Sequence, residues 1–132
     1  MTNAIYINKV IYERLTTHQY IALNCPNKVF PLVAEQTTTF PFVVYWRENI
    51  VSESCKDGMH EDYVTFTVVA VSDNYPASLD LANAIRESLE SMRFVSRGML
   101  ITNCKVTGVE ESFQDNAFVQ TLSFACKVNN ND

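Results

Sequence analysis

Between Ala4 and Thr16 the apolar residues Ile7, Val10, Ile11 and Leu15 recur at the i, i+3, i+4, i+8 spacing of one helix face. Lys9 and Glu13 fall opposite, so the pattern predicts an amphipathic helix with one buried side. Arg14 projects close to the apolar stripe at about 100° per residue and has to snorkel or meet a carboxylate. A second helical pattern opens at Pro76, a residue favoured at the first helical position, and runs to about Arg93. Its Leu81, Ala82, Ile85, Leu89 and Met92 lie within an arc of about 100°. Asp80, Asn83, Arg86, Glu87, Glu90, Ser91 and Arg93 occupy the other side.

Elsewhere the period is two. Phe42 to Glu48 is rich in β-branched and aromatic residues and begins just after Pro41, where strands tolerate proline. From Tyr63 to Ser72, Val64, Phe66, Val68 and Ala70 alternate with Tyr63, Thr65, Thr67, Val69 and Val71. The residues between, Asn49 to Asp62, contain the turn-like Lys56-Asp57-Gly58, so the two strands read as a hairpin with a long tip. Met99 to Val109 and Ala117 to Val128 form a second hairpin around Gln114-Asp115-Asn116, with Gln120 out of place on the apolar side. Pro26 and Pro31 exclude a helix from Asn24 to Thr39 and leave room for one short edge strand around Val29. Asn129 to Asp132 is a polar end expected to fray.

This order, helix, hairpin, helix, hairpin, predicts one α+β domain over residues 1–132. Its expected architecture is a mainly antiparallel sheet of four or five strands with two helices on one face. The other sheet face then carries Tyr63, Val69, Val71, Val119 and Ala125 among threonines and serines. That is too apolar for a face meant only for water, so association with another chain is expected.

Composition narrows the function. The chain has 132 residues, 47% hydrophobic and 19% charged, which is ordinary globular material. Its formal charge of -5 and its ten scattered Lys and Arg residues disfavour nucleic-acid binding, for want of a basic run. No apolar stretch approaches the roughly 20 residues of a membrane-spanning helix. Met1-Thr2-Asn3 lacks the charged start of a secretory signal, so a cytoplasmic protein is expected. Cys25, Cys55, Cys104 and Cys126 are far apart, and free buried thiols are the expectation.

Candidate chemistry is sparse. Only His18 and His60 could serve as an imidazole base, and Cys55 with His60 and Glu61 is the one local nucleophile set. Cys55, His60 and Asp62, or His18 and Cys25, have metal-ligand chemistry without metal-ligand spacing. Gly58, Gly98 and Gly108 are too scattered to cradle a phosphate. The adjacent acids Glu61-Asp62 and Glu110-Glu111 point to opposite faces of a strand, not at each other. No metal, cofactor or catalytic residue is therefore expected, and a building block is the better reading.

Phe40-Pro41-Phe42-Val43-Val44-Tyr45, followed later by Tyr75-Pro76-Ala77 opening Leu81-Ala82-Asn83-Ala84-Ile85, resembles the tail terminator, or tail completion, proteins of long-tailed bacteriophages and prophages. The likeness covers about Ile5 to Val128. It implies a ring, commonly of six subunits, at the head-proximal end of the tail tube, in contact with the tube protein and the head connector. It also implies assembly in the host cytoplasm, a final place in the virion neck, and no catalytic residues. An acidic lumen would suit passing DNA. The candidate contact residues are Glu53, Asp57, Met59, Glu61 and Asp62 in the hairpin tip, Tyr63, Val69 and Val71 on the outer strand face, and Tyr45 and Trp46 on the strand before. Two alternatives stand beside this. One is a small ligand-binding or enzymatic domain with a pocket between helices and sheet, using Tyr45, Trp46 or His60. The other is a cytoplasmic adaptor unrelated to phage.

Overall fold

The computed structural model describes residues 2–54 and 60–130. After a 3₁₀ turn at Ala4–Tyr6 come α1 (Ile7–Thr17), α2 (Gln19–Asn24), β1 (Val29–Pro31), β2 (Phe42–Ser54) and β3 (His60–Ser72). Then follow α3 (Tyr75–Leu89), β4 (Phe94–Ser96), β5 (Met99–Gln114) and β6 (Ala117–Asn130). The strands form one sheet in the order β1-β2-β3-β6-β5-β4. β1 runs parallel to β2 and every other pair is antiparallel, so the sheet is mixed. It curls into a half-barrel.

The expected four- or five-stranded antiparallel sheet with two helices is thus corrected to six mixed strands with three helices. The missed elements are short. β1 lies where the sequence leaves room for a short edge strand around Val29, but β4 has three residues, too few for an alternation to register. Arg97 and Gly98, both at positive φ, turn β4 tightly into β5. α2 has six residues and buries one, Ile21, so it shows no stripe; extended His18 separates it from α1.

The inner sheet face follows the predicted alternation. Val64, Phe66, Val68 and Ala70 of β3 are fully buried, with Phe66 stacked on Phe124 of β6 at 5.0 Å. α3 lies across β3 and β6, and α1 packs beside it. Ile7, Val10, Ile11 and Leu15 close the core from α1, and Leu81, Ile85 and Leu89 from α3. Burying each such side chain stabilises the fold by about 1.5–3 kcal/mol before its ordering entropy is counted.

Two polar intruders on these apolar faces find partners. Arg14 meets a carbonyl instead of a carboxylate: its Nε donates to Ser88 O at 3.1 Å, with the guanidinium over Phe94. Gln120 is buried and donates to Ser78 Oγ at 3.3 Å and Glu111 Oε2 at 3.1 Å. α3 stops at Leu89, short of the expected Arg93. Ser91 enters the left-handed region and donates its N–H to Cys104 O, so Met92 reaches the core from a turn.

The long tip expected from Asn49 to Asp62 is also corrected. Asn49 to Ser54 continue β2 and pair with His60 to Thr65, beyond a register shift at Arg47/Asn49. Ile50 packs on the core and Asp62 is buried, so this segment contributes to the fold. Asn129 and Asn130, expected to fray, lie in β6, and Asn129 donates to Glu61 at 3.4 Å.

Candidate functional site

Three strands and one irregular segment build the outer side of the sheet. Because side chains alternate across a strand, Phe42, Val44 and Trp46 of β2 share this side with Val69 and Val71 of β3 and Val119 and Thr121 of β6. Beside them runs the segment from Leu32 to Phe40, tethered at its base by Leu32 N–H to Tyr45 O at 2.8 Å. On the other flank stand Gln114, Asp115 and Ala117 at the β5–β6 turn. The space enclosed is a groove of about 620 Å³ with an aliphatic floor.

The groove is not the pocket that a ligand-binding reading places between helices and sheet; it lies on the face away from the helices. Its described lining offers Glu35 and Asp115 at the rim and no His, Cys, Lys or Arg, so it holds no nucleophile with a neighbouring base. What it offers is apolar surface. Leu32 and Val33 are each 74% exposed, and Phe40 stacks on Phe42 at 5.8 Å with its own ring partly open.

Below the groove the outer face turns polar. Glu48 Oε1 accepts from Trp46 Nε1 at 2.7 Å and from Thr67 Oγ1 at 2.8 Å. Glu61 accepts from Lys127 Nζ at 2.7 Å and from Tyr63 OH at 2.9 Å. These bonds hold the Glu61 carboxyl below the usual range, with the Lys127 bond the largest cause. The Glu61 partnership pushes the Tyr63 phenol up.

The sequence-predicted contact residues therefore divide. Val69, Val71 and Trp46 line the groove, with Val69 largely covered, while Tyr63, Glu61 and exposed Glu53 sit at the polar end. Tyr45 points into the core against Tyr12, and burial raises its phenol pKa. Asp62 also points inward, where its Oδ2 accepts from the Thr2 hydroxyl. Asp57 and Met59 lie outside the described residues, as does Cys55 of the candidate nucleophile and metal sets. The groove residues that sequence reasoning missed are Leu32, Val33 and Phe40. Two adjacent apolar residues inside an otherwise polar, proline-bearing stretch were the available signal.

His18 and Cys25 have other work. His18 Nδ1 accepts the Tyr20 N–H, which caps α2, so Nε2 carries the proton and donates to Glu87 at 3.1 Å. Burial pushes the Cys25 thiol up to about 11. Cys104 is raised by its hydrogen bond to Cys126 and by burial, so it too stays a neutral thiol. Among the described residues no three His, Cys, Asp or Glu side chains cluster as metal ligands. No helix among them is long and apolar enough to cross a membrane.

The architecture defines a class: a half-barrel sheet with its helices on one side and a grooved, half-apolar face on the other. No protein-family model matches the chain, and no curated protein does. Solved structures do share the fold. One is a chain from the virion of a native gene transfer agent particle, 17% identical, with a TM-score of 0.78 and a match covering 90% of this chain and 91% of that one. Another solved structure is 12% identical with a TM-score of 0.66, the match covering 96% of both chains. At such identities the likeness is one of fold.

Proposed function

We propose that this chain is a non-enzymatic structural subunit of a virion, of the tail terminator or tail completion type. The observation that carries the reading is the fold it shares, over nine-tenths of its length, with a chain of a gene transfer agent virion. The motifs at Phe40-Pro41-Phe42 and Tyr75-Pro76-Ala77 support the same direction. In this reading the subunit associates side by side with copies of itself into a closed ring. The ring caps the tail tube and presents its other surface to the head connector. A grooved apolar face beside a polar hairpin end suits the unlike, head-to-tail contacts that a ring requires. The projecting end of β2 and β3, with Glu53, Glu61 and Tyr63, is the proposed reach toward a neighbour. No cofactor enters this function.

Electron microscopy and native mass spectrometry of the purified chain, alone and mixed with its tail-tube protein, test the proposal. Closed rings of one fixed subunit number, alone or on tube ends, are expected. A chain that stays monomeric in both samples overturns it.

A further inference from the structure

At the far end of the β5–β6 hairpin, on the helix side of the sheet but beyond the start of α3, three aromatic rings gather around one carboxylate. Phe113 and Phe118 are register partners with ring centroids 4.9 Å apart. Tyr75, the first residue of α3, meets the other flank of Phe118 edge-on at 5.4 Å. Phe113 is 61% exposed and Tyr75 41%, so two of the rings stand open to solvent.

Glu111, two residues before Phe113 on the same face of β5, is held in place from behind. Its Oε2 accepts from Tyr75 OH at 3.0 Å and from Gln120 Nε2 at 3.1 Å. Gln120 is only 4% exposed and is itself anchored on buried Ser78. Because Glu111 raises the Tyr75 phenol pKa, that hydroxyl remains a neutral donor at ordinary pH. Oε1 of Glu111 accepts no hydrogen bond from the described residues.

Glu111, Tyr75, Phe113 and Phe118 line a cavity of about 260 Å³, and no Lys or Arg is among its lining. That is smaller than the roughly 300–1,000 Å³ of small-molecule sites, so it has room for one side chain and not for a folded element. Its charge is one-sided. Aromatic faces are negative at the ring centre, and the one ionic group is a carboxylate with a free oxygen. Asn74 already satisfies the nearby Ala77 N–H at the helix start, which leaves no call there for an anion.

We propose that this pocket receives the cationic side chain of a Lys or Arg from a partner chain, the cation lying against the rings and bonded to Glu111 Oε1. The proposal goes beyond the virion reading and stands independently of it.

The test titrates the full chain with N-acetyl-lysine methylamide and N-acetyl-arginine methylamide while the ring signals of Tyr75, Phe113 and Phe118 are followed by NMR. The uncharged norleucine analogue is the control. Saturable shifts confined to these three rings are expected from the two cations and none from norleucine. Glu111→Gln keeps an acceptor for Tyr75 and should weaken binding by about tenfold or more, as loss of a charged hydrogen bond does. If that variant unfolds, Phe113→Ala, at an exposed position, provides the same readout on Tyr75 and Phe118. Equal shifts from norleucine, unaltered affinity in the substituted protein, or no saturable shift at these rings overturns the proposal.

Discussion

At the far end of the β2–β3 hairpin, the inward side chains Ile50, Asp62 and Val64 are covered by the chain's own first residues and core. At the far end of the β5–β6 hairpin, the inward Glu111 and Phe113 are left in solvent. Both hairpins are long, antiparallel and continuous with the same sheet. The difference lies in what sits above them. The N-terminal residues lie over the first, with Thr2 bonded to Asp62 and Ile5 O accepting from Arg47, whereas among the described residues the second is met only by Tyr75 at the start of α3. One hairpin end is therefore completed within the molecule, whereas the other presents an arranged but unfilled surface. Similar strand patterns can thus have opposite roles, because what packs over a strand decides what is core.

The sharpest way to break this contrast is to truncate a buried and an open aromatic residue in turn. Phe66→Ala, in the stack with Phe124, should cost about 3–5 kcal/mol in urea unfolding, the usual range for a buried phenylalanine. Midpoints near that of the parent protein would show that the inner face is not a packed core. Next in size is the cover over the first hairpin. Thr2→Val removes the hydroxyl that bonds Asp62 and leaves a carboxylate that is 1% exposed, with Oδ1 already lacking a partner. A loss of about 1–3 kcal/mol is expected. An unchanged urea midpoint would show that the N-terminal segment does not hold this end. The smallest effect belongs to Phe113→Ala, which removes an open ring and one ring contact and should cost less than about 1 kcal/mol. A loss matching that of Phe66 would make the second hairpin end part of the core and erase the comparison.

Strand alternation and helix stripes were legible because they repeat. Val64 to Ala70 and Ile7 to Leu15 each offer several residues in phase, and each is buried as predicted. What stayed hidden was short or set by distant neighbours. The three residues of β4 are a strand because β5 pairs with them. Polar Asn49 to Asp62 looked like a loop, since Glu53, Glu61 and Asp62 are poor strand formers, yet cross-strand pairing carries them. The outer face was read in part: Val69, Val71 and Trp46 reach the groove. Tyr45 and Asp62 do not, because alternation puts them on the inner side, Tyr45 in phase with Val43 and Asp62 with Val64. Leu32, Val33 and Phe113 went unmarked, since one or two exposed apolar residues have no period to announce them.

The two irregularities in β5, at Thr102/Lys105 and Val106/Gly108, bear on behaviour at high concentration. β4 pairs with β5 only from Met99 to Ile101; beyond it Cys104 O accepts from Ser91 N–H and Val106 N–H donates to Glu90, and the rest of β5 has no strand on that side among the described residues. A flat edge of that length is a template on which any extended peptide can add, and the result is fibres. Each bulge breaks the even spacing of donors and acceptors and adds twist, so a straight strand laid along this edge loses register within a few residues. The bulges of β5 thereby protect an open flank from unselective stacking while the protein accumulates.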